Sequence, residues 1–308
     1  MLYGLEVCPV SDSGLCEMEK AHRMNSKIIQ NVPQNIPSPA PLATLGWMSV
    51  SAVVDRMKLL FMWRVLCSDE NNVYKMLMIY LLKKFFCEGV SSTMHKLSPT
   101  ASIYKTVYKY ELQYKILQCI ESGNFGDYLS EKNKVKLIVK TTEFDRWRAT
   151  LLLYKELQLY SDCVHQIDMN PWIKYLKNEP NLSKCVGSVL SVLMGGQPKY
   201  FQRNFDRFKC QLCSLDKSDD AVHILTECPA LDEVRANLWR KLLEKMPSNM
   251  NSSVNDMIPP ERVKFILSCL NGTYIAEWNE VYRETARYVH FIYHKRALLY
   301  DEMATTIL

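Results

Sequence analysis

Glycine is scarce in this sequence, and its scarcity limits the fold. Only 10 of the 308 residues are glycine, against 15 methionines, and leucine, lysine and glutamate are common. Glycine supplies the tight turns on which folds of many short strands depend, whereas the commoner residues favour helices. The composition therefore predicts a mainly α protein made of helical segments.

Long apolar runs are also missing. The longest, from Met76 to Leu82, lies between Lys75 and Lys83 and is far shorter than the ~20 residues of a membrane-spanning helix. The first residues, MLYGLEVCP, show no basic segment followed by an apolar one, so no secretory signal is predicted. We expect an intracellular protein without membrane contact, with nucleus and cytoplasm not distinguished.

Neither a disulfide framework nor a strong charge of one sign is present. The 11 cysteines are odd in number and scattered, which argues against a secreted disulfide-bonded fold. The 38 basic and 33 acidic side chains give a formal net charge of +5. This weak excess permits binding to phosphate backbones but does not require it.

Motifs for catalysis are lacking. The sequence has no GxxxxGK[ST] phosphate loop, no GxGxxG, and no adjacent aspartates apart from Asp219-Asp220, so two-metal phosphoryl transfer lacks ligands. Cys163 with His165 and Cys87 with His95 have no nucleophile elbow, oxyanion turn or orienting carboxylate. We predict that the chain is not an enzyme and has no small-molecule substrate.

Prolines, glycines and polar loops divide the chain into four predicted segments. Residues 1–98 are helical, with a proline-rich linker at 32–41 where four prolines occur in ten residues. A helical middle region covers 99–198. A metal-binding module with a basic and aromatic lead-in covers 199–235, and a helical tail covers 236–308.

Apolar periodicity predicts the individual helices. Residues 45–66 form an amphipathic pattern, 72–89 a more buried one, and 102–122 and 131–160 two further helices. A long C-terminal helix is marked by apolar or small side chains at helical spacing: Trp278, Tyr282, Thr285, Val289, Ile292 and Leu299.

One cluster of residues has the spacing of a metal site. Cys210, Cys213, His223 and Cys228 form the pattern C-x2-C-x9-H-x4-C. Two cysteines separated by two residues direct both sulfurs to one point, and a histidine and a third cysteine complete a tetrahedron around Zn²⁺. Because all four ligands come from the protein, the predicted zinc is structural and not hydrolytic. The alternative is four unrelated core residues.

Local sequence supports this zinc module. Asp219 or Asp220 is suited to cap a short helix that carries His223. Pro229 disfavours helical geometry at Cys228 and is suited to the first position of the next helix. By contrast, His290 and His294, four apart on the last helix, have no third ligand at metal spacing, and we interpret them as ordinary helix residues.

The segment KYFQRNFDRFK, immediately before the module, alternates cations with aromatic rings. Its basic residues are Lys199, Arg203, Arg207 and Lys209. Cations suit phosphates and rings suit bases, so this is the best candidate for a nucleic-acid surface. The same pattern also fits a helix with an aromatic core face and a solvated basic face.

These motifs resemble a known family. The segment GGQPKYFQRNFDRFKCQLCSLDKSDDAVHILTECPALDEVR is similar to the C-terminal Cys-Cys-His-Cys module of the polyproteins of non-LTR (LINE-type) retrotransposons, including the Glu-Cys-Pro and the later Arg235. The stretches LYGLEVCPVSDSGLCEMEKAHRMNSKIIQNVP and LATLGWMSV look like those that follow the reverse-transcriptase palm in that family. The resemblance spans nearly the whole chain.

The resemblance implies a thumb-like helical segment at 1–98, metal binding by the three cysteines and the histidine, and contact with RNA or DNA by the basic residues before them. Arg235 is a further candidate for nucleic-acid contact. The family's paired palm aspartates and its endonuclease domain have no counterpart here. The expected function is a zinc-containing, nucleic-acid-binding fragment without a polymerase site. The alternatives are a zinc-stabilised helical module that binds proteins, and a functionless relic of a decayed element.

Overall fold

The computed structural model describes residues 4–7, 10–88, 98–196, 209–268 and 275–306. Over these residues the chain is helical, with two isolated antiparallel bridges and no strand, which confirms the prediction of a mainly α fold. The helices are α1 (Asp12–Ile29), α2 (Pro39–Thr44), α3 (Val50–Leu66), α4 (Val73–Glu88), α5 (Pro99–Lys109), α6 (Gln113–Ser122), α7 (Tyr128–Leu151), α8 (Gln158–Cys163), α9 (Pro171–Asn178), α10 (Ser183–Leu193), α11 (Asp232–Lys245), α12 (Ser248–Asp256), α13 (Pro259–Leu267) and α14 (Asn279–Thr306).

The chain forms two compact units. The first combines Met1–His22 with Met48–Trp147, and the second combines Arg23–Trp47 with Arg148–Leu308. This grouping differs from the four predicted segments, because residues 99–147 belong with the early helices. The predicted metal module and the helical tail after it lie together in the second unit.

The first unit is built around α3. Leu59, Met62, Trp63 and Leu66 of this helix are fully buried and pack in one apolar cluster with residues of α4 to α7. The helix begins where the Ser49 hydroxyl accepts the Ala52 amide, a side-chain cap. The amphipathic pattern predicted this helix but not its core face, because Leu60, Phe61 and Val65, which lie at the predicted apolar spacing, are only partly buried.

Helix α4 is less buried than its apolar sequence suggested. Only Met78, Leu82 and Phe85 of this helix are buried, while its outer face exposes residues that include Tyr74 and Tyr80. Periodicity alone does not distinguish a helix covered on all sides from one covered on a single side. Tertiary packing determines that α4 is covered on one side only.

The helix predicted at 102–122 is two helices. Helix α5 ends at Lys109 and α6 begins at Gln113, because Glu111 adopts the left-handed conformation with φ of 55°. The amide of Leu112 then donates to the Val107 carbonyl at 3.0 Å and closes the turn. Glycine is the usual residue in this conformation, and a glutamate adopts it only at a cost in free energy. The sequence therefore gave no signal of the break.

The second unit packs around aromatic residues. Trp172 is fully buried, donates its indole N–H to the Leu267 carbonyl at 2.9 Å, and lies 6.0 Å from the Tyr282 ring in an edge-to-face arrangement. Such pairs stabilise the fold beyond the burial of their apolar area.

After α10, Gly195 turns the chain with φ of +66°, at a point where a β-carbon would lie 2.3 Å from the Glu156 carbonyl oxygen.

The proline-rich segment 32–41 is folded in this unit and is not an extended linker. Ile36 is 2% exposed, Ala40 is fully buried, and α2 begins inside the segment at Pro39. The Gln30 side chain donates to the Pro41 carbonyl at 2.7 Å. Pro39 is the first residue of α2, a position at which proline is tolerated because it lies in the first helical turn.

Helix α14 is the C-terminal helix that periodicity predicted. Tyr282, Thr285, Val289 and Ile292 are all fully buried along one side of its 28 residues. It packs mainly on α10 and α11. Among the helices in the described part of the chain, none has both the length and the apolar character needed to cross a bilayer.

Candidate metal centre

A short turn brings the first two predicted ligands together. Lys209 and Ser218 form an isolated antiparallel bridge, and the amide of Cys210 donates to the Lys217 carbonyl at 2.9 Å. The chain therefore reverses between residues 210 and 217, with Cys213 inside the loop. As the two-residue spacing predicted, the sulfurs of Cys210 and Cys213 belong to one cluster.

The other two ligands lie at the ends of a single wide helical turn. His223–Glu227 has π-helical geometry, and the Asp220 carboxylate accepts the amide of His223 at 2.9 Å as a cap. The amide of Cys228 donates to the His223 carbonyl at 2.8 Å, after which the backbone becomes extended before Pro229. Asp220 is thus the cap, and Pro229 begins the next turn as predicted.

The four side chains converge. The ligand atoms of Cys210, Cys213, His223 and Cys228 all lie within 4.8 Å of one another. The Sγ atoms of Cys210 and Cys228 are 3.8 Å apart, and Cys213 Sγ lies 3.4 Å from His223 Nε2. In a tetrahedral zinc site the known bond lengths place two sulfurs about 3.8 Å apart and a sulfur and a nitrogen about 3.6 Å apart. The cluster can therefore hold a metal ion.

Burial makes this cluster a poor place for uncompensated negative charge. Cys210, His223 and Cys228 are 5%, 1% and 1% exposed. Burial raises the pKa of the Cys228 thiol to about 12, although the amide of Ala230 lowers it by donating to the sulfur. Burial likewise raises the pKa of Cys210. A bound cation is the group that favours thiolates in such surroundings.

The two ring nitrogens of His223 face different neighbours. Its Nε2 atom faces Cys213, while Nδ1 lies 3.7 Å from the Glu227 carboxylate, beyond hydrogen-bond distance. Glu227 is held in turn by Lys217 at 2.9 Å, a contact that lowers the Glu227 pKa. Histidine ligands of metals commonly direct their second nitrogen to a carboxylate. This arrangement leaves Nε2 as the nitrogen that faces the cluster.

The predicted nucleic-acid residues are only partly described. Lys209 is about half exposed and pairs with Asp216 at 2.7 Å. Arg235 is mostly covered, with a side chain 12% exposed; it pairs with Asp232, and burial lowers its pKa. Three predicted residues lie outside the described part of the chain: Lys199, Arg203 and Arg207.

The weaker sequence candidates do not assemble a second site among the described residues. His290 and His294 have ring centroids 5.9 Å apart, and His290 Nδ1 lies 2.9 Å from the Ser188 hydroxyl. In the described ranges, only the three cysteines and His223 form a group of three or more metal-binding side chains. Burial raises the pKa of Cys163 to about 11, which opposes a nucleophilic role. His95 lies outside the described ranges.

The chain matches no family model, no curated protein and no solved structure.

Sequence reasoning missed one residue close to this cluster. Arg296 of α14 forms a buried ion pair with Asp219, which lies in the loop between Cys213 and His223. The two residues are 77 positions apart, so no local spacing connects them. The only available signal was an aspartate beside the capping residue, which the sequence suggested as an alternative cap.

Proposed function

We propose that the chain is a zinc-containing, nucleic-acid-binding protein in which Cys210, Cys213, His223 and Cys228 hold one structural Zn²⁺. The observation that carries the proposal is the convergence of the four ligand atoms within 4.8 Å of one another, with one sulfur-sulfur and one sulfur-nitrogen distance close to the edges of a zinc tetrahedron. Three sulfurs and an imidazole nitrogen suit zinc better than magnesium or calcium. Since four protein ligands complete the coordination, the ion would contribute folding free energy.

Nucleic acid is the proposed partner because of what precedes the cluster. The basic and aromatic segment KYFQRNFDRFK runs directly into Cys210, and the chain carries a net charge of +5. Lys209 is about half exposed at the start of the metal-binding turn. Together with the resemblance to the retrotransposon module, this supports a binding fragment of a reverse-transcriptase-derived protein. The proposal includes neither polymerase nor endonuclease activity.

Elemental analysis tests the zinc part. Purified wild type should contain one zinc per chain, and Cys213→Ser and His223→Ala should lose it, since each removes one of four ligands. Free thiols are counted first, because alkylated or oxidised cysteines could not bind zinc. Wild type without zinc contradicts the proposal.

Salt dependence tests the nucleic-acid part. Fluorescence anisotropy with single-stranded RNA and duplex DNA should show affinity that falls as salt rises, because phosphate contacts release counterions. Arg203→Ala/Arg207→Ala removes two predicted phosphate contacts and should lower the salt slope on duplex DNA by about 1.8, at ~0.9 per contact. Its zinc content should stay at the wild-type value. Binding that is absent, or independent of salt, contradicts this part.

A zinc-stabilised module that binds proteins is the second candidate. Its support is that both described cations of the predicted surface, Lys209 and Arg235, pair with carboxylates of the same chain, and Arg235 is mostly covered. A cation engaged in this way offers less charge to phosphates. Wild type that binds zinc but neither RNA nor DNA at 50 mM salt favours this candidate.

A further inference from the structure

Helix α14 holds the loop between the second and third ligands. Arg296 donates to both carboxylate oxygens of Asp219, through Nε at 3.2 Å and through Nη2. The side chains are 1% and 3% exposed. Arg296 also stacks over the Tyr300 ring, 5.1 Å from its centroid. Two opposite charges buried in this geometry constrain each other strongly, because either one alone would be desolvated without compensation.

The same helix contacts the two other segments that connect the ligands. The Tyr300 hydroxyl accepts the amide of Gln211, which lies between Cys210 and Cys213. One face of α14 therefore reaches the first turn of the cluster as well as the loop.

The third segment is held farther back along the helix. The Tyr288 hydroxyl donates to the Leu225 carbonyl at 2.6 Å, within the wide turn between His223 and Cys228. Tyr288 is 1% exposed and Leu225 is fully buried. Each of the three connections between ligands is thus bound to α14 by a side chain of that helix.

We infer that Arg296 and Asp219 are positioning residues of the metal centre, so that α14 is part of the metal module. This inference rests on the proposed metal binding by the four ligands. The ion pair holds the loop in the conformation that brings Cys213 and His223 together. Metal binding in turn fixes the C-terminal half of α14, since the two events share the same contacts.

Zinc affinity of the full chain tests this inference by competition with a chelator. Arg296→Met should weaken zinc binding at least tenfold, because it leaves Asp219 buried and uncompensated. The matched control is Arg283→Met, which removes another arginine of the same helix. Arg283 pairs with Glu179 at 2.9 Å, and this ion pair involves none of residues 210–228. The control should bind zinc within twofold of wild type.

Two further measurements separate positioning from general stability. Replacing zinc with Co²⁺ should give a tetrahedral absorption spectrum in wild type and in Arg283→Met, and a weaker or shifted one in Arg296→Met. Asp219→Asn/Arg296→Met removes both charges and should recover part of the affinity that the single variant loses. If Arg296→Met is unfolded by circular dichroism, Asp219→Asn decides, with an expected threefold or greater loss.

The outcomes are distinguishable. Wild type that binds neither Zn²⁺ nor Co²⁺ refutes the proposed metal site, and the inference with it. Wild type that binds zinc while Arg296→Met and Asp219→Asn match Arg283→Met in affinity and spectrum refutes the inference alone. Selective weakening in the Arg296 and Asp219 variants supports both.

Discussion

The contact between Tyr288 and the Leu225 carbonyl allows a sharp test of how the metal centre is held. Tyr288→Phe removes one hydroxyl and keeps the ring, which packs edge to face on Trp239 at 5.7 Å. The Leu225 carbonyl loses its hydroxyl donor at a buried position. The change is thus confined to one hydrogen bond in the turn between His223 and Cys228.

The expected size follows from the burial of the bond. Leaving a buried carbonyl without its partner costs about 1–3 kcal/mol. Because metal binding and the ordering of the ligand segments are coupled, the loss should appear as weaker zinc binding. At 1.4 kcal/mol for each factor of ten, the dissociation constant should rise about 5-fold to 150-fold. Competition with a chromophoric chelator measures it.

Tyr293→Phe is the matched control. Its hydroxyl donates to the Gly196 carbonyl at 2.8 Å, on the same helix but outside the ligand segments. It should lower the free energy of unfolding by a similar amount while zinc affinity stays within about twofold of wild type. Equal zinc affinities for wild type, Tyr288→Phe and Tyr293→Phe would refute the coupling of α14 to the cluster.

Three further predictions concern the rest of the chain. Gly195→Ala should lower the free energy of unfolding by more than about 1 kcal/mol, since φ is positive and a carbonyl blocks the new β-carbon; Gly123→Ala, with open space, should cost less in the same denaturant titration. Asp55→Ala should cost about 1–3 kcal/mol by chemical denaturation, because this buried carboxylate accepts bonds from three side chains of α5 and its C-cap. Burial raises the pKa of Cys163 to about 11, so its thiolate fraction and iodoacetamide labelling should rise about tenfold per pH unit from pH 8 to 10. Labelling of Cys163 as fast as that of exposed Cys16 at pH 8 contradicts the burial.

Much of the local structure was predictable because its causes are local. The apolar stripe of α14, a cap at Asp219 or Asp220 and the start at Pro229 each depend on residues within one or two turns. The break at Glu111 and the exposed face of α4 were not predictable, because a left-handed residue without glycine and a helix covered on one side leave no periodic mark. The burial of the proline-rich segment was not predictable either. Prolines show where a helix cannot continue, but packing against other parts of the chain decides whether the segment is buried.

The sequence by itself determined the mainly helical fold and the four side chains of the candidate metal centre, because helical periodicity and ligand spacing act over a few residues. Only the tertiary structure decided that residues 99–147 belong with the early helices, and that Asp219 pairs with Arg296 and leaves the capping of His223 to Asp220. Contacts 77 residues apart depend on how helices pack, and no spacing within the chain records that packing.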